Sequence, residues 1–324
     1  MSFTKSVVLP VSPDEAFALV TEPERLRRWQ TVTATVDLRA GGSYRWTVTP
    51  GHIAEGTYHE VEPGRRVVFG WGWDENPELP KDASTVTITI EPVAEGSQVT
   101  LVHEGLTEEQ AAMHAEGWDH FFERLERLAT TGDAGQDEWA WAPEGLTPLV
   151  AAEAALAAIQ PVLRALTPED QPKPTPCADF TAHQLAVHLL DSLVRLGGMA
   201  GASLTVPEQG SLEDKVSTLT GQAITAWRAV DLDGTVATPR GDAPAAFLAS
   251  ILPLELLLHG WDLAQASGQK LNVSDEVVTY IHHLTRDVIA QGRGRSFADE
   301  VTAGADSDAV ERFAAYAGRA PIRA

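Results

Sequence analysis

The pattern of apolar and polar positions changes character once along the chain. Up to about residue 130 it alternates with period two over short runs: "SVVLPV", "TATVDLRA", "SYRWTVTP", "AEGTYHEVEP", "RRVVFGWGW", "STVTITIEPV" and "SQVTLVHEGL". That spacing predicts half-buried strands. Gly41-Gly42, Pro63-Gly64 and Glu95-Gly96 mark turns between them. "SPDEAFALV" opens a helix, with Ser12 as N-cap, Pro13 at the first helical position and Glu15 closing a capping box. A longer helix runs from about Thr107 to Thr130. Its apolar face carries Trp118, Phe121, Phe122, Leu125 and Leu128. Strands curling around one long C-terminal helix make a helix-grip arrangement.

"TTGDAGQDEW" reads as a linker by composition. After it the strand signals nearly vanish. Helical periodicity dominates at about 144–166, 180–200, 211–230, 243–267, 274–291 and 306–317, and Thr181 with Gln184 forms a capping box for the second of these. Pro253 predicts a kink or a restart within the fourth run. The expectation is an α+β chain. Residues 1–131 form an antiparallel sheet around a long helix, 132–142 a linker, and 143–324 an all-α helical bundle.

Composition narrows the function classes. The chain has 324 residues, 44% of them hydrophobic and 22% charged, which suits two soluble globular domains. No uninterrupted apolar stretch approaches a membrane span, and the first residues lack a basic region followed by an apolar core. Cys177 is the only cysteine, so no disulfide forms within the chain and a cytoplasmic location is expected. A formal net charge of −22 repels nucleic acid and anionic membranes. Small molecules are the expected partners, with a homodimer as the expected assembly if the chain self-associates. The abundance of Ala, and of Arg over Lys, is a pattern associated with high-GC bacteria.

The chemistry concentrates in "LPLELLLHGWDLAQASG", residues 252 to 268. From Gly241 to Gln269 there is no Lys or Arg to neutralise Glu255. Glu255 and His259 share one helical face with Leu252, Leu258 and Leu263, a stripe that must point inward. Burying an unpaired carboxylate costs several kcal/mol. Protonation, an Arg from another helix, or a divalent cation would each remove that cost. His259 can supply a second ligand to the same ion. "FTAHQLAVHLLDSL" offers His188 as a third, on a face with Leu185, Leu189 and Ser192. Two imidazoles and a carboxylate suit zinc with an open position; nickel, cobalt or iron(II) fit the same donors. The alternative reading is a hydrogen-bonded core histidine and a buried Glu–Arg pair. Asp191 and Asp262, each three residues after a histidine, are candidates to hold a ligand imidazole from behind. Cys177, in a Pro-flanked loop, reads as a packing residue. In the first domain, Trp46, Tyr58, Phe69, Trp71 and Trp118 are candidate linings of an apolar ligand cavity.

Two resemblances add to this reading. "ERLRRW", "GTYHEVEPGRRVVFGWGW", "VTLVHEGL" and "GWDHFFERLERL" resemble the heat-shock ATPase activator-like branch of the START-type (SRPBCC) superfamily, over about residues 3 to 130. "PTPCADFTAHQLAVHLL", "LELLLHGWDLAQASG" and "ERFAAYAGRAP" resemble the actinobacterial mycothiol-dependent maleylpyruvate isomerase-like proteins, members of the DinB-like four-helix-bundle superfamily, from about residue 143 onward. The second resemblance implies that His188, Glu255 and His259 bind a divalent metal, usually zinc. It also implies that the sulfur of mycothiol takes the open position and attacks a small electrophile. S-transfer or cis–trans isomerisation would follow. The non-catalytic alternative is a small-molecule sensor or carrier, for example in a stress response.

Overall fold

The computed structural model describes residues 1–238 and 241–322. It divides into two compact units, Met1–Glu138 and Trp139–Ala324.

The first unit runs β1 (Ser2–Leu9), α1 (Pro13–Thr21), α2 (Pro23–Leu26), β2 (Thr33–Val36), β3 (Ser43–Thr49), β4 (His52–Glu62), β5 (Arg66–Trp73), β6 (Ser84–Val93), β7 (Gly96–Glu104) and α3 (Glu108–Thr131). The short helix α4 (Glu138–Trp141) follows. One seven-stranded sheet is ordered β1-β7-β6-β5-β4-β3-β2, and every neighbouring pair is antiparallel. Ser12 caps α1 through the Glu15 N–H, but the Glu15 carboxylate pairs with Arg25 at 3.3 Å and does not return to close the box. Thr107 and Gln110 form a full capping box at the start of α3, and Gly132 ends that helix in the left-handed conformation. Its apolar face, from Trp118 to Leu128, buries against the sheet's inner residues, among them Trp46, Tyr58, Phe69 and Trp71. β4 and β5 pair with a register shift between Tyr58 and Glu60, and close by a Cβ at Gly56 would lie 1.9 Å from the Gly70 carbonyl oxygen, so only glycine allows that approach.

The second unit contains α5 (Pro148–Ala165), α6 (Ala182–Met199), α7 (Leu212–Arg228), β8 (Thr235–Thr238), β9 (Gly241–Pro244), α8 (Ala245–Ala249), α9 (Ile251–Ser267), α10 (Asp275–Gly292) and α11 (Ala309–Tyr316). It is mainly helical, yet β8 and β9 pair as an antiparallel hairpin, which corrects the all-α expectation. β8 alternates over only four residues and β9 is Gly-Asp-Ala-Pro, so neither stands out from the sequence as a strand. The run expected at 243–267 is two helices with a break at Ser250, and Pro253 falls in the first turn of α9, where its missing N–H costs nothing. α9 is buried on nearly every side, as a helix apolar all round must be. α5 and α9 come so close that a Cβ on Gly260 would lie 2.1 Å from Ile159 Cγ2. α5 and the α8–α9 stretch are long and apolar enough to cross a membrane by composition, but most of their residues are buried in the core of this unit.

Candidate metal centre

α9 is the central strut of the site. Its burial fixes where Glu255 and His259 point, and the Thr181–Gln184 capping box fixes the start of α6, which brings His188 opposite them. His188 Nε2 lies 3.7 Å from Glu255 Oε2, and His259 Nε2 lies 3.5 Å from the same oxygen. The two imidazoles meet edge to face with centroids 5.1 Å apart. Glu255 Oε2 is buried and has no hydrogen-bond partner among the described residues. Two donors about 2.1 Å from one zinc at the tetrahedral angle stand roughly 3.4 Å apart. The separations are therefore long for hydrogen bonds and close to those of ligands sharing one ion. His188 is the outer member: its side chain is 36% exposed, against 15% for Glu255 and 7% for His259. An open coordination position would be reached from the His188 side.

Behind each donor stands a second group. His259 Nδ1 is 3.2 Å from Asp262 Oδ2, which fixes the ring and directs Nε2 at Glu255. Asp262 in turn lies 3.6 Å from Arg319 Nε, and both residues are buried. Arg195 donates to Ser192 Oγ at 3.1 Å, and the Ser192 hydroxyl beside Glu255 favours its anion. Phe180 stacks on His188, centroids 5.1 Å apart and rings inclined by 25°.

Electrostatics follow from this packing. Burial disfavours the Glu255 anion, but His259, Ser192 and His188 outweigh it and hold the carboxyl below its ordinary range. Burial likewise disfavours protonated His259, but Asp262 and Glu255 together raise it well above the ordinary histidine value. Burial and the neighbouring His259 push His188 down. With no ion present, then, His259 is an imidazolium between two carboxylates and His188 is neutral.

His188, Glu255, His259 and Asp262 thus come together. Asp191 does not join them: it is exposed and makes no hydrogen bond to His188, whose ring is braced by Phe180 instead. Cys177 is more than a packing residue. Its Sγ accepts from Arg319 at 3.4 Å, and burial pushes its thiol up to about 11. Residue spacing could not find a pair 142 positions apart.

In the first unit, Trp46, Tyr58, Phe69, Trp71 and Trp118 are all buried and pack ring to ring, for example Trp71–Trp118 at 5.2 Å and Trp46–Phe69 at 5.5 Å. Among the described residues, Trp46 Nε1 and the Tyr58 hydroxyl are buried without hydrogen-bond partners. Two histidines complete the cluster. His52 and His59, also on strands, are exposed, but His103 is fully buried. Trp118 Nε1 donates to His103 Nδ1 at 3.1 Å, and His103 Nε2 meets Ser84 Oγ at 2.8 Å. Trp71 and Trp73 both donate to His114 Nε2 at 3.2 Å, while His114 Nδ1 bonds to the Gln110 carbonyl at 2.7 Å. Burial, reinforced by His114, lowers His103 to about 3.

Comparison with known proteins agrees with this first unit. Residues 10–130 match the family described as activator of Hsp90 ATPase homolog 1-like protein. The N-terminal unit is an AHSA1-like domain of the START/SRPBCC type. Among solved structures, the AHSA1-like protein of Rhizobium etli is 32% identical, with 45% of this chain and 91% of that chain covered and a TM-score of 0.37. The Aha1 dimer from Colwellia psychrerythraea is 15% identical, with 41% and 98% covered and a TM-score of 0.37. Among curated proteins, an uncharacterized protein of Mycobacterium tuberculosis is 25% identical over 181 residues, covering 54% of this chain and 98% of the relative.

Proposed function

We propose that the second unit binds one divalent metal ion through His188, Glu255 and His259 and serves as a thiol-dependent transferase or isomerase of the mycothiol type, in a DinB-like bundle. The substrate is a small electrophilic molecule. The observation that carries the reading is Glu255 Oε2, buried between two converging imidazole nitrogens without a hydrogen bond among the described residues. Two nitrogens and an oxygen with a solvent-facing side fit zinc in an open, three-ligand site. Such an ion polarises whatever fills its open position and deprotonates a bound thiol. The chain's own residues do the rest. Asp262 holds His259 by Nδ1, Ser192 with Arg195 orients the Glu255 carboxylate, and Phe180 gives the entrance an apolar side.

The test is metal content by elemental analysis, followed by thiol-dependent consumption of an electrophile. One equivalent of metal in the purified chain, lost in Glu255→Gln and His259→Ala, is expected. Equal metal content in wild type and both variants would overturn the site. Bound metal without any thiol effect on turnover favours the second reading, a non-catalytic small-molecule binding protein. That reading draws on the AHSA1-like domain, where Trp46 Nε1 and the Tyr58 hydroxyl are buried donors, without a hydrogen-bond partner among the described residues, that an apolar ligand carrying an acceptor oxygen would satisfy.

A further inference from the structure

His259 faces two ways. Its Nε2 belongs to the trio with Glu255 and His188. On its other side, Cys177, His259 and Asp262 also have their ligand atoms within 4.8 Å of one another. Sulfur, nitrogen and oxygen donors, with Cys177 half-buried and His259 and Asp262 buried, make a set suited to a thiophilic ion. A cation already sits there. The Arg319 guanidinium donates to Cys177 Sγ at 3.4 Å, its Nε lies 3.6 Å from Asp262 Oδ2, and its other terminal nitrogen bonds to the Ala317 carbonyl at 3.1 Å. Its carbon lies 5.7 Å from the Phe297 ring centroid. The tail is set to deliver it: Arg319 N bonds to the Ala314 carbonyl at 2.9 Å, and Gly318, in the left-handed region at φ 79°, passes so close to Ala298 that a Cβ would meet backbone at 2.8 Å. Yet the flat guanidinium leaves the layer incompletely satisfied. Among the described residues, Asp262 Oδ1 and Arg319 Nε are both buried without a hydrogen bond.

We propose that Cys177, His259 Nδ1 and Asp262 form a second cation site, for a thiophilic divalent ion, and that Arg319 occupies it as a cation tethered to the chain. With the tail docked, the centre takes a single ion, at Glu255. With Arg319 withdrawn, a second ion enters; the Cys177 thiol and the His259 ring each give a proton to solvent as the metal–sulfur and metal–Nδ1 bonds form, and the ring then bridges the two ions as an imidazolate. The C-terminal tail is then the gate between one-ion and two-ion states. The occupancy of the first site rests on the function proposed above; the second site does not.

The experiment titrates the full-length chain with Cd2+, following stoichiometry by equilibrium dialysis and the thiolate-to-metal charge-transfer band in the ultraviolet. Wild type and Arg319→Lys are expected to bind one equivalent with no thiolate band. Arg319→Met gains a second equivalent together with the band, and the additional Cys177→Ser change removes both. Arg319→Gln, which keeps a hydrogen bond to sulfur but no charge, gives the same gain and covers a failure of Arg319→Met to fold. An unchanged single equivalent without the band in both uncharged variants overturns the proposal. A thiolate band in the first wild-type equivalent also overturns it, because Arg319 would then not exclude the ion. A wild type that binds no Cd2+ sinks the function proposed above; a lone equivalent with a thiolate band in Arg319→Met would still support the second site.

Discussion

Acid should weaken the first unit through His103, and the size of the effect can be worked out. His103 is fully buried, accepts the Trp118 N–H at Nδ1 and faces Ser84 Oγ through Nε2. Nδ1 has no room for a proton while the indole donates to it. The folded-state pKa is therefore depressed to about 3, by burial first and by His114 second, from an ordinary value of 6.5. Between those values the unfolded chain takes up a proton that the folded chain refuses. The contribution to stability is fully present above pH 6.5 and is lost as pH falls towards 3, at about 1.4 kcal/mol per pH unit. By pH 4.5 the loss is roughly 2.7 kcal/mol. His114, also lowered by burial, acts in the same direction. The assay is urea unfolding by tryptophan fluorescence at pH 7 and pH 4.5, comparing wild type with His103→Gln. The difference between the two pH slopes isolates this residue from the carboxylates. The variant is expected to be weaker at pH 7 and to lose about 2–3 kcal/mol less than wild type on acidification. Parallel losses in the two proteins would refute the reasoning.

Other expectations follow from the second unit. Zinc at about 100 times its dissociation constant should stabilise the wild-type chain by about 2.7 kcal/mol, seen as a rise in melting temperature reversed by chelator. Glu255→Gln should abolish that rise; a variant that keeps it contradicts the ligand assignment. Gly260→Ala should cost about 1–3 kcal/mol through overpacking, because its Cβ falls 2.1 Å from Ile159 Cγ2. Ile159→Ala in the same chain should recover part of that loss, and denaturation of the double variant checks the coupling. Thr181→Ala removes the side-chain bond to Gln184 N at the start of α6 and should cost about 1 kcal/mol in thermal unfolding.

What could be read from the chain and what could not divide along physical lines. Features set by neighbours in sequence were legible: the Thr181–Gln184 box is present in both of its halves, and Glu255 and His259, one turn apart, face each other at 3.5 Å. Local rules failed where a distant group competed. Glu15 had the right spacing to close a box, but Arg25 takes its carboxylate. His103 lies on a strand and could face either way; it faces inward because Trp118, on α3, supplies the donor. Asp191 has the same i+3 spacing from its histidine as Asp262, yet only Asp262 lies on a helix buried nearly all round, where a free carboxylate must find a partner. Arg319 and Cys177 meet only once the tail packs, so no window of sequence contains them both.

The charges around His259 make a constraint on chemistry that no single residue shows. With no ion present, the carboxylates of Glu255 and Asp262 are balanced by the imidazolium of His259 and the guanidinium of Arg319. A divalent ion at Glu255 needs the lone pair of His259 Nε2, so that proton must leave. The balance then stands one positive charge in excess, in a setting where uncompensated charge is costly. A monoanion at the open position restores neutrality, which a thiolate does and a neutral thiol does not. Proton counting tests this directly. At neutral pH in weakly buffered solution, zinc binding should release close to one proton per chain, and subsequent binding of a small thiol close to one more. Release of no proton on zinc binding would mean that His259 is not a ligand. A thiol that binds without proton release would mean that the excess charge is balanced some other way.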